Sequence, residues 1–173
     1  MAGSLIKIDE EIVTSAVASV TLTGIDSTYD VYMVRFNNVT PATDNRNLLI
    51  RVTESGTPNT TANYDEAAKF LDSTTTFGTQ SNVNQAQWTN SLAIGNSTSE
   101  QTNGILYLYN FNNASEYSFY TKENTSLTYL AGNTGYQGGG VFTSTSSCNG
   151  LQFFFSSSSN IASGTFTLYG LKK

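Results

Sequence analysis

The stretch YDVYMVRF, residues 29–36, carries apolar side chains in both of its alternating registers. As a strand, whose successive side chains point to opposite sides, it sets Val31 and Met33 on one face and Tyr32, Val34 and Phe36 on the other. Arg35 interrupts the pattern. A strand that is apolar on both faces needs cover on both. This segment therefore predicts a chain of stacked sheets rather than one solvated sheet.

The neighbouring segments follow the same preference. Towards the N-terminus, residues 12–22 read as one long strand and Thr23-Gly24-Ile25-Asp26-Ser27 as a turn, preceded by a polar arm at 1–11. Towards the C-terminus, residues 37–47 with Pro41 and Asp44 read as a loop, and 48–53 as a third strand. Residues 63–72 (NYDEAAKFLD) fit a strand, although Tyr64, Ala67, Ala68 and Leu71 also fit a short helical face. Residues 73–87 are almost wholly Thr, Ser, Asn and Gln and read as a surface loop, because they cannot bury enough apolar area to build a core element. Further strands are expected at 88–94, 104–111, 117–122, 126–130, 140–143, 151–155 and 164–171, spaced as in a sandwich or barrel.

No amphipathic helix of ten or more residues emerges, which excludes alternating βαβ units. The expected fold is all-β: an antiparallel β-sandwich of jelly-roll type, with eight main strands in two four-stranded sheets and one or two additional edge strands. One domain over residues 12–173 follows the arm.

Composition narrows the chemistry. Of 173 residues, 12% are charged, none is histidine and one, Cys148, is cysteine. Without histidine there is no Ser-His or Cys-His nucleophile pair. A single cysteine allows neither an intrachain disulfide nor a Cys/His zinc site. The net charge of −5 opposes a grip on phosphate backbones, so no nucleic-acid partner is expected. No apolar run is long enough for a membrane helix, and MAGSLIKIDEE is acidic where a signal peptide is hydrophobic. No membrane association by these routes is expected.

Candidate sites weaken on inspection. Asp26, Asp30 and Asp44 lack the D-x-D-x-D-G pattern of a calcium loop, and no metal is expected. Glu10-Glu11 and Asp65-Glu66 are adjacent and so point to opposite strand faces, which makes them solvated charges rather than a glycosidase pair. Gly138-Gly139-Gly140 has no following Lys-Ser/Thr and reads as a turn or close backbone contact. Five N-x-S/T sequons, at Asn38, Asn59, Asn96, Asn113 and Asn124, carry no information in a chain with 18 asparagines. Cys148 has no basic neighbour to activate it and reads as structural. Neither catalysis nor a cofactor is expected.

What remains is an apolar surplus. In LQFFF (151–155), Leu151, Phe153 and Phe155 suit the interior while Phe154 points away. In ILYLY (105–109), Leu106 and Leu108 suit the core, and Ile105, Tyr107, Tyr109 and Phe111 form the opposing stripe. Tyr169 and Leu171 stand likewise opposite Phe166 and Leu168. Exposed together, these residues would make a patch larger than soluble monomers usually carry. Either loops fold over the stripes, or a subunit or partner covers them, as suits the aromatic content of interfaces.

The runs GIDSTYDVYMVRFNNVTPATDNRNLLIRV (24–52), GILYLYN (104–110) and SNIASGTFTLYGL (159–171) resemble the jelly-roll virion structural proteins of tailed bacteriophages. That group includes capsid cement (decoration) proteins, head fibres and terminal domains of tail fibres, and the resemblance spans nearly the whole chain. It implies a homotrimer with strand faces packed about a three-fold axis. Only about eleven residues precede the first expected strand, leaving no room for a fibre shaft, so the resemblance favours a cement protein on the outer surface of the head. Its partner would be the major capsid protein, gripped by an arm bearing Leu5, Ile6 and Ile8. The alternative is a fibre module whose Trp88, Tyr136 and loops at 73–87 and 133–140 bind a host surface glycan.

Overall fold

A computed structural model describes residues 4–73, 77–130 and 132–172. Alternation dominates them. In the strand containing the opening segment, Tyr32, Val34 and Phe36 are buried on one face, and Met33 is nearly buried on the other. The described strands are β1 (Ser4–Val13), β2 (Ser19–Thr23), β3 (Val31–Pro41), β4 (Arg46–Glu54), β5 (Thr57–Pro58), β6 (Tyr64–Asp72), β7 (Phe77–Gln85), β8 (Trp88–Ile94), β9 (Thr102–Tyr109), β10 (Ser118–Leu127), β11 (Asn133–Phe142), β12 (Gly150–Phe155) and β13 (Ile161–Lys172). Among the described residues the fold is all-β, with one 3-10 turn at Ser156–Ser158.

The strands form two antiparallel sheets. The larger runs β1-β13-β3-β9-β10-β11-β6-β7; the smaller runs β2-β12-β4-β5, with β8 also paired to β4. Ring pairs join them: Phe153 of β12 lies 5.0 Å from Phe166 of β13, and Trp88 of β8 lies 4.5 Å from Tyr120 of β10. Leu151, Phe153 and Phe155 fill the interior as expected, as do Leu106, Leu108, Phe166 and Leu168. The eight-plus-five division replaces the expected four-plus-four with one or two additional edge strands.

Several segments differ from their sequence reading for identifiable reasons. Residues 12–22 are not one strand. The chain leaves the larger sheet after Val13 and enters the smaller one at Ser19, which lets Val13 and Val20 both point into the core. Residues 4–11 of the expected arm lie in β1, paired along β13; residues 1–3 fall outside the described residues. β3 continues to Pro41 through an irregular stretch in which Asn38 takes a positive φ of 55°, so only residues 42–45 form the loop.

The expected loop at 73–87 contains β7, an edge strand paired to β6. An edge needs a backbone ladder on one side and little apolar filling, so its polar composition did not forbid it. The expected strands at 117–122 and 126–130 are largely one strand, β10, because residues 123–125 keep the alternation, Glu123 and Thr125 outward and Asn124 inward, and pair with both β9 and β11. Residues 63–72 form the strand β6. Gly138 to Gly140 lie in β11, and a Cβ at Gly138 would come within 2.4 Å of the Ala67 carbonyl, a close backbone approach that only glycine allows.

Candidate functional site

The face of the larger sheet turned away from the core is organised in lines of cross-strand neighbours. One line places Val31, Tyr109, Phe119 and Val141 side by side across β3, β9, β10 and β11. The next places Tyr169, Met33 and Tyr107 together and continues through Thr121, Gly139, Ala67 and Ser81 to the β7 edge. Leu5 faces Leu171 at the far end. The third line, Glu10, Thr167, Arg35, Ile105, Glu123, Gln137 and Lys69, is mainly polar and bounds the apolar band.

Within this band the aromatic walls and the small floor residues make a shallow groove. Ala67, Thr121 and Gly139 form its floor; Tyr109, Phe119 and Val141 stand beside it, in a depression of about 510 Å³. Phe119 keeps 45% of its surface exposed, and Val83 on the β7 edge keeps 61%. A second depression of about 300 Å³ lies over Gly135, between Leu71 and Phe77 on one side and Glu123 and Lys69 on the other. Phe77 is 73% exposed.

Of the expected interface residues, Ile105, Tyr107, Tyr109, Tyr169 and Leu171 share this face and are half-buried. Two do not belong to it. Phe111 is a core residue: Asn110 adopts a positive φ of 61°, the strand ends at Tyr109, and the alternation that placed Phe111 outside no longer applies. Phe154 points outward from the smaller sheet, where the Arg51 guanidinium lies 4.4 Å from its ring centroid. Phe119, Leu71, Phe77 and Val83 escaped the sequence reading. Alternation against Tyr120 could have found Phe119, whereas Phe77 and Val83 were hidden in the segment read as a loop.

The arm residues divide as well. Leu5 is exposed beside Leu171, Ile6 is exposed at Gly170, and Ile8 packs against the core beside a β-bulge. Trp88 and Tyr136, expected to stack on a glycan, are both buried. Trp88 sits against Tyr64 and Tyr120, and residues 133–140 form a strand rather than a loop. The glycan reading loses its aromatic platform.

A buried polar cluster was read differently from sequence. Glu66, expected as a solvated charge, points between the sheets because it shares its face with Tyr64 and Ala68. Its carboxylate accepts bonds from Gln80 Nε2 (2.8 Å), Asn82 Nδ2 (2.8 Å), the Thr89 amide (3.0 Å) and the Tyr120 hydroxyl (3.3 Å). Lys122 Nζ lies 3.7 Å away and donates to the Thr89 carbonyl at 2.5 Å. Burial pushes the Lys122 ammonium pKa down, opposed by Glu66, and pushes the Tyr120 phenol well up. Both charged side chains are essentially closed to solvent.

Elsewhere the titratable groups serve local structure. Asp26 accepts bonds from the Thr28 amide and the Tyr32 hydroxyl, which lower its pKa. Glu10 is lowered by Lys7 and Thr167. The Cys148 thiol is buried, which pushes its pKa up to about 11, as suits a structural cysteine. Among the described residues no three His, Cys, Asp or Glu side chains gather as metal ligands would.

Compared with known proteins, the chain matches no family model, no curated protein and no solved structure.

Proposed function

We propose that this chain is a non-enzymatic structural protein of a virion, a jelly-roll cement subunit that assembles as a homotrimer on the outer surface of a tailed-phage head. The observation that carries this reading is the apolar band on the outer face of the larger sheet, centred on Tyr109 and Phe119. Water contact with such side chains is unfavourable, and fully burying one contributes about 1.5–3 kcal/mol. A few of them from each copy, covered together, would outweigh the cost of association. The three-fold arrangement and the head location come from the sequence resemblance.

The function is mechanical. Three copies at a junction of capsomers bury apolar surface across the boundary, so separating the capsomers first requires breaking those contacts. Attachment through three copies multiplies a weak individual grip, because each engaged copy raises the local concentration of the next. Leu5 and Ile6, exposed on the edge strand β1, offer a strip through which each copy can meet the major capsid protein.

The test combines sedimentation equilibrium of the purified chain with co-sedimentation on purified phage heads lacking their decoration. A three-copy species that binds heads supports the reading. A single-copy species that ignores them overturns it.

A further inference from the structure

The larger sheet ends in two edges that are guarded differently. An edge strand presents unpaired backbone groups, and charges, proline and bulges are what usually keep other strands off it. β1, one edge, carries Lys7, Asp9, Glu10 and Glu11 and a register shift between Lys7 and Asp9. β7, the other, has neither charge nor proline, and its pairing with β6 is regular from Phe77 to Asn82. Phe77, Thr79, Ser81 and Val83 make up its exposed face along this stretch. That face is symmetrical about Gln80: an apolar residue at each end and a hydroxyl on either side of the centre.

We propose that β7 pairs antiparallel with β7 of a second copy of this chain, about a two-fold axis at Gln80. A two-fold contact is made by the same surface on both copies and has to complement itself, which a strand with a symmetrical pattern does. In this register Phe77 faces Val83 of the second copy and Thr79 faces its Ser81, each pair occurring twice. Aromatic with β-branched and hydroxyl with hydroxyl are favourable cross-strand pairs, and no like charges meet. Leu71 of β6 already stands opposite Phe77, so each end becomes an apolar row of Leu71, Phe77 and the second copy's Val83. These three side chains are 56%, 73% and 61% exposed in the single chain, and the pairing covers them.

One pair of short strands is marginal by itself in water, so free copies meet only fleetingly through this edge and their sedimentation does not record it. Copies already held side by side raise one another's local concentration, and there the pairing persists. On a phage head it would join neighbouring trimers; that location rests on the function proposed above, whereas the pairing itself does not. The contact is made by a strand edge and is separate from the face contact at Tyr109 and Phe119.

Disulfide trapping tests it, because a covalent bond captures a fleeting contact. Full-length Thr79→Cys and Ser81→Cys chains, both changed at exposed positions, are mixed in equal amounts under mild oxidation, and the dimers are sorted by intact mass with the bond located by peptide mapping. Native Cys148 is buried and stays out of the reaction. The mixed dimer should form well above the two-to-one share over either like dimer that random pairing gives, since only the mixed pair sets the two thiols directly opposite. The same preference should persist when both chains also carry Phe119→Glu, which separates this contact from the face contact of the proposed trimer. The proposal is overturned if no dimer bonded at these positions forms, if the mixed dimer does not exceed its random share, or if its preference vanishes with Phe119→Glu.

Discussion

Phe119 of β10 stands directly opposite Tyr109 of β9, on the sheet face turned away from the core. The adjoining positions in that line are Val31 and Val141, so no charge interrupts the row from β3 to β11.

Replacing Phe119 with Glu should abolish self-association while leaving the chain folded. A side chain this exposed contributes within about 0.5 kcal/mol to folding when changed, whereas a charge at the centre of an apolar contact would have to be desolvated. Phe154→Ser, on the smaller sheet, should leave association intact. Sedimentation velocity of both variants beside the unmodified chain separates these outcomes. Association of the unmodified chain should change little with added salt, because apolar contact is not screened as ion pairs are.

Phe153 and Phe154 are sequence neighbours with different environments. Phe153 is fully buried against Phe166, so Phe153→Ala should cost about 3–5 kcal/mol. Phe154→Ala loses chiefly the Arg51 stacking, about 0.5–1 kcal/mol. Urea unfolding midpoints give the comparison.

Glu66→Ala leaves Lys122 without its buried counter-charge and should cost about 3–5 kcal/mol. Lys7→Ala removes the exposed partner of Glu10 and should leave the unfolding midpoint unchanged.

Alkaline pH should destabilise the fold. Burial raises Cys148 to about 11 and Tyr136 to about 12, while the unfolded thiol and phenol ionise near ~8.5 and ~10. The folded state therefore holds protons that the unfolded state has released, and stability falls as pH rises from ~8.5 through the folded values. Urea midpoints should decrease over this range, and Cys148→Ser should flatten the first part of the decline. Native Cys148 should resist thiol reagents at pH 8 and react once the chain is unfolded.

Alternation made most of the core legible: Leu106 with Leu108, Phe153 with Phe155, and Phe166 with Leu168 all point inward. It failed where backbone geometry or polar packing decides. Asn110 breaks the period and turns Phe111 inward. β7 escaped because an edge strand is stabilised through its backbone, and its composition looks like a loop. The inward position of Glu66 was present in the pattern Tyr64-x-Glu66-x-Ala68, as was that of Lys122 between Tyr120 and Asn124. An expectation that charges stay in water hid both, although a carboxylate and an ammonium that meet can share the cost of burial.

The most direct measurement of the central claim is sedimentation equilibrium of the full chain beside Phe119→Glu across a wide concentration range. The unmodified chain should reach the mass of three copies, and the variant should remain at one. A mass of one copy for the unmodified chain at the highest concentration would contradict self-association through this face.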